Sequence, residues 1–306
     1  MIDLIEIAYK LPVKFYSNNI PREIEWPYIL VHTNNFNELY ERNFTHAIID
    51  IHVHRFRKHG DYPLNELINY VKLVEKLAKE FKDRITFVMP DLPYDVNYFH
   101  GVQYPYNIRK TYTYHTMFIP IARKLYRKYG TTCMLVVQHR QKFYDLEHSC
   151  EIVNDMLSYV DDNMVYAIGV GSLCVNRSPY IIADFINTVM RKLKLKIHGF
   201  GIHLKAIEHI SEYERFSFDS TSWTRPVNDN VRKIVKALKR YSCKTEKQRV
   251  VYFLCYVARL CAILNYNTVA GELIDLAIKY YNNNNVNVKV KFYGKYEKNI
   301  LNYFNS

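Results

Sequence analysis

Asp219 closes a short apolar run, and Trp223, Thr224 and Arg225 follow it closely, in the string FDSTSWTRP that spans Phe218 to Pro226. A carboxylate delivered at a strand end can serve as nucleophile or proton carrier. A nearby guanidinium clamps a phosphate or pairs with a carboxylate, and an indole offers a flat face to a ring. The same string also reads as an ordinary strand-to-helix loop whose Asp caps the next helix. What raises it above that is repetition. Asp50, Asp91, Gln138, Gly169 to Ser172 and His198 to Gly201 each stand at or just beyond the end of an apolar run. Parallel strands that close into a barrel aim all such groups into one mouth.

The elements that would position them alternate along the chain. THAIIDIHVH is an apolar, β-branched run that reads as a buried strand ending at Asp50. Further strands are expected near Asp3–Ala8, Tyr28–His32, Arg84–Met89, Cys133–Val137 and Met164–Val170, and within Lys196–Asp219. Between them, Asn35–Glu41, Pro63–Phe81, Asn107–Tyr129, Leu146–Val160 and Pro179–Leu193 carry helical patterns. Leu64, Leu67, Ile68, Val71, Val74 and Leu77 form the expected inner face of the second of these, and Pro120 should kink or divide the third. Three more helices are expected near Asp229–Arg240, Thr245–Leu264 and Thr268–Tyr281, and the alternating tail from Val286 reads as a basic edge strand. The fold class is therefore α/β, a (β/α)8 TIM-like barrel with a helical C-terminal extension. Residues 1–306 form one domain, in which 227–306 complete the barrel and supply the mostly helical, basic C-terminal region. An open doubly wound sheet would want a glycine-rich phosphate loop near the start, and none is present.

At 306 residues the chain has room for one barrel of roughly 250 residues with extensions. Its 49% hydrophobic and 24% charged content is that of a soluble globular protein. No apolar run approaches the ~20 residues of a membrane helix. Asp3 and Glu6 interrupt the first apolar residues, so a cytoplasmic protein without a secretory signal is expected. The net charge of +12 points to a polyanionic partner. Tyrosines interleave with basic residues at Arg109–Tyr114 and Arg123–Tyr129, a pattern suited to phosphate contact with base stacking. The six cysteines contain no CxxC pair, so neither a disulfide framework nor a zinc site is expected. The composition leaves a homodimer open.

FDSTSWTRP resembles the FDxxxPTR motif of the tRNA-guanine transglycosylase superfamily at Phe218, Asp219, Thr224 and Arg225, with Trp223 in place of Pro. Other segments match that family in the same order. THAIID ends where the family's general acid/base Asp stands, MPDLPYD is similar to FDECxPYP, and LVVQHR to GIVQG. YAIGVGSL is similar to YAVGGLAVGE, and IHGFG to LMGVG. The resemblance implies Asp219 as the nucleophile on C1′ and Asp50 as the acid/base. It implies Asp91 and Gln138 as readers of the guanine edge, and Gly169, Gly171 and Ser172 as a turn of backbone donors. His198 and Gly199 would lie against the base, and Arg225 would bind the substrate. It implies base exchange by double displacement with retained configuration, on a nucleotide flipped from its stack, with no cofactor. After Asp50 the chain has IHVH rather than SGGF, and it lacks the CxCxxC…H zinc signature of the tRNA enzymes; Cys243 stands alone. This is more similar to the zinc-less DNA-modifying branch, which implies DNA over tRNA as partner and a 7-deazaguanine such as preQ0 as the incoming base.

Two rival readings share the same residues. IIDIHVH also fits the DxHxH strand end of metal-dependent amidohydrolase barrels, where His52 and His54 point the same way and His198 or His203, with Asp219, would complete a metal site. A non-catalytic nucleic-acid-binding barrel would need only the charge and the aromatics.

Overall fold

The computed structural model describes residues 1–53, 61–93, 106–140, 142–161, 163–175, 178–220, 222–224, 245–282 and 288–292. The chain begins with β1 (Ile2–Asp3), α1 (Ile5–Lys10), β2 (Lys14–Tyr16), β3 (Ile24–Glu25), β4 (Tyr28–His32) and α2 (Glu38–Glu41). Strands and helices then alternate through β5 (His46–Asp50), α3 (Leu64–Phe81), β6 (Ile85–Val88), α4 (Tyr106–Tyr129), β7 (Thr132–Val137) and α5 (Phe143–Leu157). They continue through β8 (Val165–Val170), α6 (Pro179–Lys192), β9 (Ile197–Gly199), α7 (Leu204–Ile207) and β10 (Phe216–Asp219). Helices α8 (Glu246–Ile263) and α9 (Asn267–Asn282) and the short β11 (Val288–Lys289) follow. The expected helix at 229–240 lies outside the described residues.

Eight strands pair in the order β2-β10-β9-β8-β7-β6-β5-β4, every pair parallel. The ring is nearly closed. Its last seam, between β2 and β4, is a single bridge from Ser17 to Ile29, in which Leu30 N–H donates to the Ser17 carbonyl at 2.9 Å. The result is an α/β barrel compatible with a TIM-like barrel. Ile29, Val31, Ala47 to Ile49, Val88, Cys133 to Val137 and Ile168 are buried, as parallel strands packed on both faces require.

A polar layer crosses the interior. Tyr16 Oη lies 2.8 Å from His46 Nδ1 and 2.8 Å from Tyr166 Oη. Strands β2, β5 and β8 are not neighbours, so these bonds span the ring. His46 Nε2 continues to Thr86 Oγ1 at 3.0 Å. Burial, and then the charges of Lys14 and Lys196, hold the His46 imidazole down at about 3, so it stays neutral.

On the outside, Leu67, Tyr70, Val74 and Leu77 are the buried stripe of α3, and the Tyr70 hydroxyl donates to the Ile49 and Val88 carbonyls. Leu64 and Ile68 are exposed, so the stripe is narrower than the pattern suggested. Helix α4 runs through Pro120 undivided, with that residue on its solvent side. The expected strand at Asp3–Ala8 is mostly helix α1, started by Asp3 Oδ1 accepting Ile5 N–H at 2.9 Å. The first strand of the ring is instead Lys14–Tyr16, too short to show a period. The tail strand β11 pairs with β1 in a separate three-stranded sheet. Among the described residues no helix is long and apolar enough to cross a membrane.

Helix α8 starts from a capping box, Thr245 and Gln248 each bonding the other's backbone N–H at 3.2 Å. It packs Phe253 against Phe15, Trp26 and Trp223, with ring centroids 6.0, 5.6 and 5.4 Å away. This aromatic cluster backs β2, the shortest side of the seam. Phe253→Ala should therefore lower unfolding stability by about 3–5 kcal/mol, whereas Ile68→Ala on the exposed side of α3 should stay within about 0.5 kcal/mol of wild type. Urea denaturation of the two variants measures both.

Candidate active site at the barrel mouth

Asp219 ends β10 and presents its carboxylate to the mouth. Oδ1 accepts the Gly201 N–H at 3.0 Å and lies 3.3 Å from His198 Nε2. His198 is completely buried, with Nδ1 3.0 Å from Ser217 Oγ. The ring therefore faces Ser217 with one nitrogen and Asp219 with the other, while the Ser217 hydroxyl also donates to the Ile197 carbonyl at 3.3 Å. The Gly201 and His198 contacts converge on Oδ1. Among the described residues no hydrogen bond engages Oδ2.

Asp50 ends β5 beside His32, the last residue of β4 and its partner in register. His32 Nδ1 is 3.3 Å from Asp50 Oδ2, within ion-pair distance. Asn18 Nδ2 stands 3.3 Å from His32 Nε2, and the His52 ring stacks on His32 at 4.2 Å. Burial opposes charge on His32, but the Asp50 contact and the charges of Asp50 and Asp219 outweigh it and raise the imidazole above its ordinary value. Burial likewise works against the Asp50 carboxylate, yet His32 and the backbone N–H of His52 hold it below the usual range. The two residues stand as a charge-complementary pair.

Asp91 follows β6 and is the third carboxylate. Burial first, and then the negative charge of Asp50, push its carboxyl up to about 8, against the hydrogen bond from Gln138. Gln138 is fully buried: its Nε2 donates to Asp91 Oδ2, and its Oε1 accepts the Ser172 hydroxyl at 2.7 Å. In this arrangement Gln138 orients Asp91, and Ser172 orients Gln138. A Cβ on Gly171 would lie 2.2 Å from Gln138 Nε2, and one on Gly169 would lie 2.4 Å from the Phe200 ring. Gly199 similarly leaves room for Ile202, 2.9 Å from where its Cβ would stand. These glycines make space for the side chains that build the mouth.

The structure thus brings Asp219, His198, Asp50, Asp91, Gln138, Gly169, Gly171, Ser172 and Gly199 to one end of the ring. Arg225, His54 and Cys243 lie outside the described residues. Trp223 is not a ligand face. It is buried, its Nε1–H donates to Ser17 Oγ at 2.9 Å, and it packs on Phe253. An aromatic ring at the mouth is Phe200, half-buried and edge-on to His198 at 4.8 Å. Sequence reasoning passed over His32, although it ends an apolar run as Asp50 does. Among the described residues no three His, Cys, Asp or Glu side chains converge on a metal position, and His203 is exposed at the start of α7.

The basic stretch of α4 is differently placed from what its pattern suggested. Tyr112 and Tyr114 are core residues. The helix descends from the mouth, so Arg123 lies 17 residues below its start, roughly 25 Å at 1.5 Å per residue. There Arg123 and Arg127 pair with Asp161 at 3.1 and 2.6 Å, and Lys124 with Glu75 at 2.8 Å. Three exposed aromatics stand on the mouth side, at the first turns of α5 and α6: Phe143, Tyr144 and Tyr180, while Tyr9, Tyr40 and Tyr159 are exposed elsewhere. Arg140 and Lys142 stand 6.0 and 5.9 Å from the Tyr144 ring. A scan against protein-family models finds no match for this chain, and no curated protein matches it.

Because the Asp91 carboxyl sits above its ordinary 3.8, the folded protein keeps a proton that the unfolded chain releases. Its contribution to stability should fall as pH rises from 3.8 to about 8 and stay flat above that. Asp91→Asn should remove this dependence and raise stability at pH 8 relative to wild type. One unit of separation is worth about 1.4 kcal/mol, so the gain should be at least that. Urea denaturation at pH 5 and pH 8 reads it.

Proposed function

We propose that the chain is a nucleic-acid guanine transglycosylase that exchanges guanine for a 7-deazaguanine such as preQ0, in DNA in preference to tRNA. The observation that carries this reading is the division of labour among three carboxylates at one barrel mouth. Among the described residues one oxygen of Asp219 takes no hydrogen bond, Asp50 is held charged beside an imidazole, and Asp91 is half-buried and bonded by an amide. The FDSTSWTRP string and the other segments named above support it, as does the charge of +12. The finer architecture belongs to the same proposal: one (β/α)8 domain over residues 1–306, with α8 and α9 as its helical extension.

In this mechanism the flipped guanine enters the mouth and gives its N1–H to Asp91, whose proton leaves as the base binds. Phe200 supplies a ring face. Asp219 Oδ2 bonds to C1′ as the C1′–N9 bond breaks and its electron pair passes to guanine. The proton the departing base needs comes from His32, held as an imidazolium by Asp50. The incoming base returns a proton to His32 as its nitrogen attacks C1′ and expels Asp219. Two inversions retain the anomeric configuration. The polymer is held by the rim of Phe143, Tyr144 and Tyr180 with Lys142, where stacking and phosphate contact combine, while Arg140 stays paired with Asp145 at 3.0 Å.

Denaturant quenching during turnover should leave wild-type protein covalently attached to the polymer, and Asp219→Asn, which keeps the shape, should abolish both adduct and exchange. Wild-type exchange by Asp219→Asn would overturn the mechanism, as would a chelator-sensitive reaction with no adduct. His32→Gln should slow exchange by about 10²–10⁴-fold while polymer affinity persists. For binding, Tyr144→Ala with Tyr180→Ala should weaken polymer affinity by about 1–3 kcal/mol per stacked base. Charge reversal at Arg123 and Lys124 should leave affinity and its salt slope unchanged, as read by fluorescence anisotropy over a salt series.

A further inference from the structure

The opposite end of the barrel carries a second feature that the mouth chemistry does not use. A cavity of about 90 Å³ opens among the strand beginnings, lined by Lys14 on β2, Tyr28 on β4, Tyr166 on β8, Lys196 before β9, and Tyr9. Both lysines point at one ring: Lys14 Nζ is 5.8 Å and Lys196 Nζ 5.6 Å from the centroid of Tyr166. Lys14 also reaches the Tyr166 hydroxyl at 3.4 Å and stands 5.4 Å from the Tyr28 ring. Among the described residues neither lysine forms an ion pair with a carboxylate, although Lys110, Lys124, Lys192 and Lys289 all do. Glu214 lines the cavity as an exposed residue and pairs with neither lysine. Arg215, also in the lining, spends its guanidinium on Glu212 and on the Met190, Leu193 and Leu195 carbonyls.

Two like charges gathered on one ring without a counter-ion repel one another, and an anion between them removes that cost. The neighbouring phenol hydroxyls of Tyr166 and Tyr28 can donate to such an anion. The size of the cavity suits one tetrahedral oxyanion and falls well below the 300 Å³ or more that encloses a drug-sized ligand. The field is felt inside the ring too, since both lysine charges act on His46. We propose that this face of the barrel binds a phosphate group, carried by inorganic phosphate or a small phosphomonoester, between Lys14 and Lys196. The site is independent of the mouth and of the reading of its chemistry.

Thermal unfolding of the full chain in chloride and in phosphate at equal ionic strength tests it, with glycerol phosphate as a parallel arm. Wild type should gain at least 3 °C in Tm at 20 mM of one or both phosphates, because a ligand of the folded state alone stabilises it by mass action. A gain with inorganic phosphate identifies the free ion as a ligand, and a gain only with glycerol phosphate identifies the ester. Lys196→Gln, at an exposed position, should lose most of that gain, and Lys14→Gln should lose it as well. Lys124→Glu, on α4, should keep it. Equal Tm in chloride and both phosphates would overturn the proposal, and so would a full gain retained by Lys196→Gln. Adduct formation through Asp219 should be the same in Lys196→Gln as in wild type, so the two proposals fail separately.

Discussion

The seam at Ser17 is the contact on which the rest depends. Seven of the eight strand junctions are runs of paired residues, but β2 and β4 meet through one bridge. Ser17 serves that bridge with its backbone, and its hydroxyl accepts the Trp223 indole N–H. Trp223 in turn rests on Phe253 of α8, which also backs Phe15 and Trp26. The last part of the chain therefore holds the first strand in the ring. Only with the ring drawn together do Asp50 and Asp219, which stand on opposite sides of the seam, act on the same imidazole of His32.

Three carboxylates in one mouth would repel one another if their surroundings were alike. They differ because each has a different partner. His32 stabilises the charge on Asp50, and the Gly201 N–H with His198 supports one oxygen of Asp219. Asp91 has chiefly an amide against the cost of burial and the nearby charge of Asp50, so its carboxyl is pushed up. Neighbouring titratable groups driven apart in this way are the usual means of running acid and base steps together at one pH.

The two ends of the barrel are electrically unlike. The mouth gathers acids and imidazoles, while the opposite face gathers Lys14 and Lys196 around tyrosines. Between them the polar layer of Tyr16, His46, Thr86 and Tyr166 is bonded across the ring and keeps His46 neutral. That layer lets the interior hold hydroxyls and a histidine without unpaired charge at its centre.

The apolar runs alone determined that strands alternate with helices, and that Asp50, Asp91, Gln138 and Asp219 stand at or just past strand ends, because a strand buried on both faces is mostly apolar and its charged groups fall where it stops; His198 and Thr86, inside β9 and β6, are polar because each finds a partner across the sheet. Chain order did the same for the helices from α3 to α6. Short elements were illegible: Lys14–Tyr16 has too few residues to show a period, and α1 took a stretch that reads equally well as strand. Side-chain direction was equally hidden. Trp223 looked like a ligand face and turned inward to the seam, and Gln138 bonds Asp91, because each found a polar partner distant in sequence. His32 acquired its role from Asp50 beside it and Asp219 across the seam. The charged face of α4 was visible as a pattern, but only the direction in which the helix descends decided that Arg123 and Lys124 lie far from the mouth, paired with Asp161 and Glu75. A residue's type and local period are written along the chain; which groups share a space is fixed only when distant strands are brought side by side.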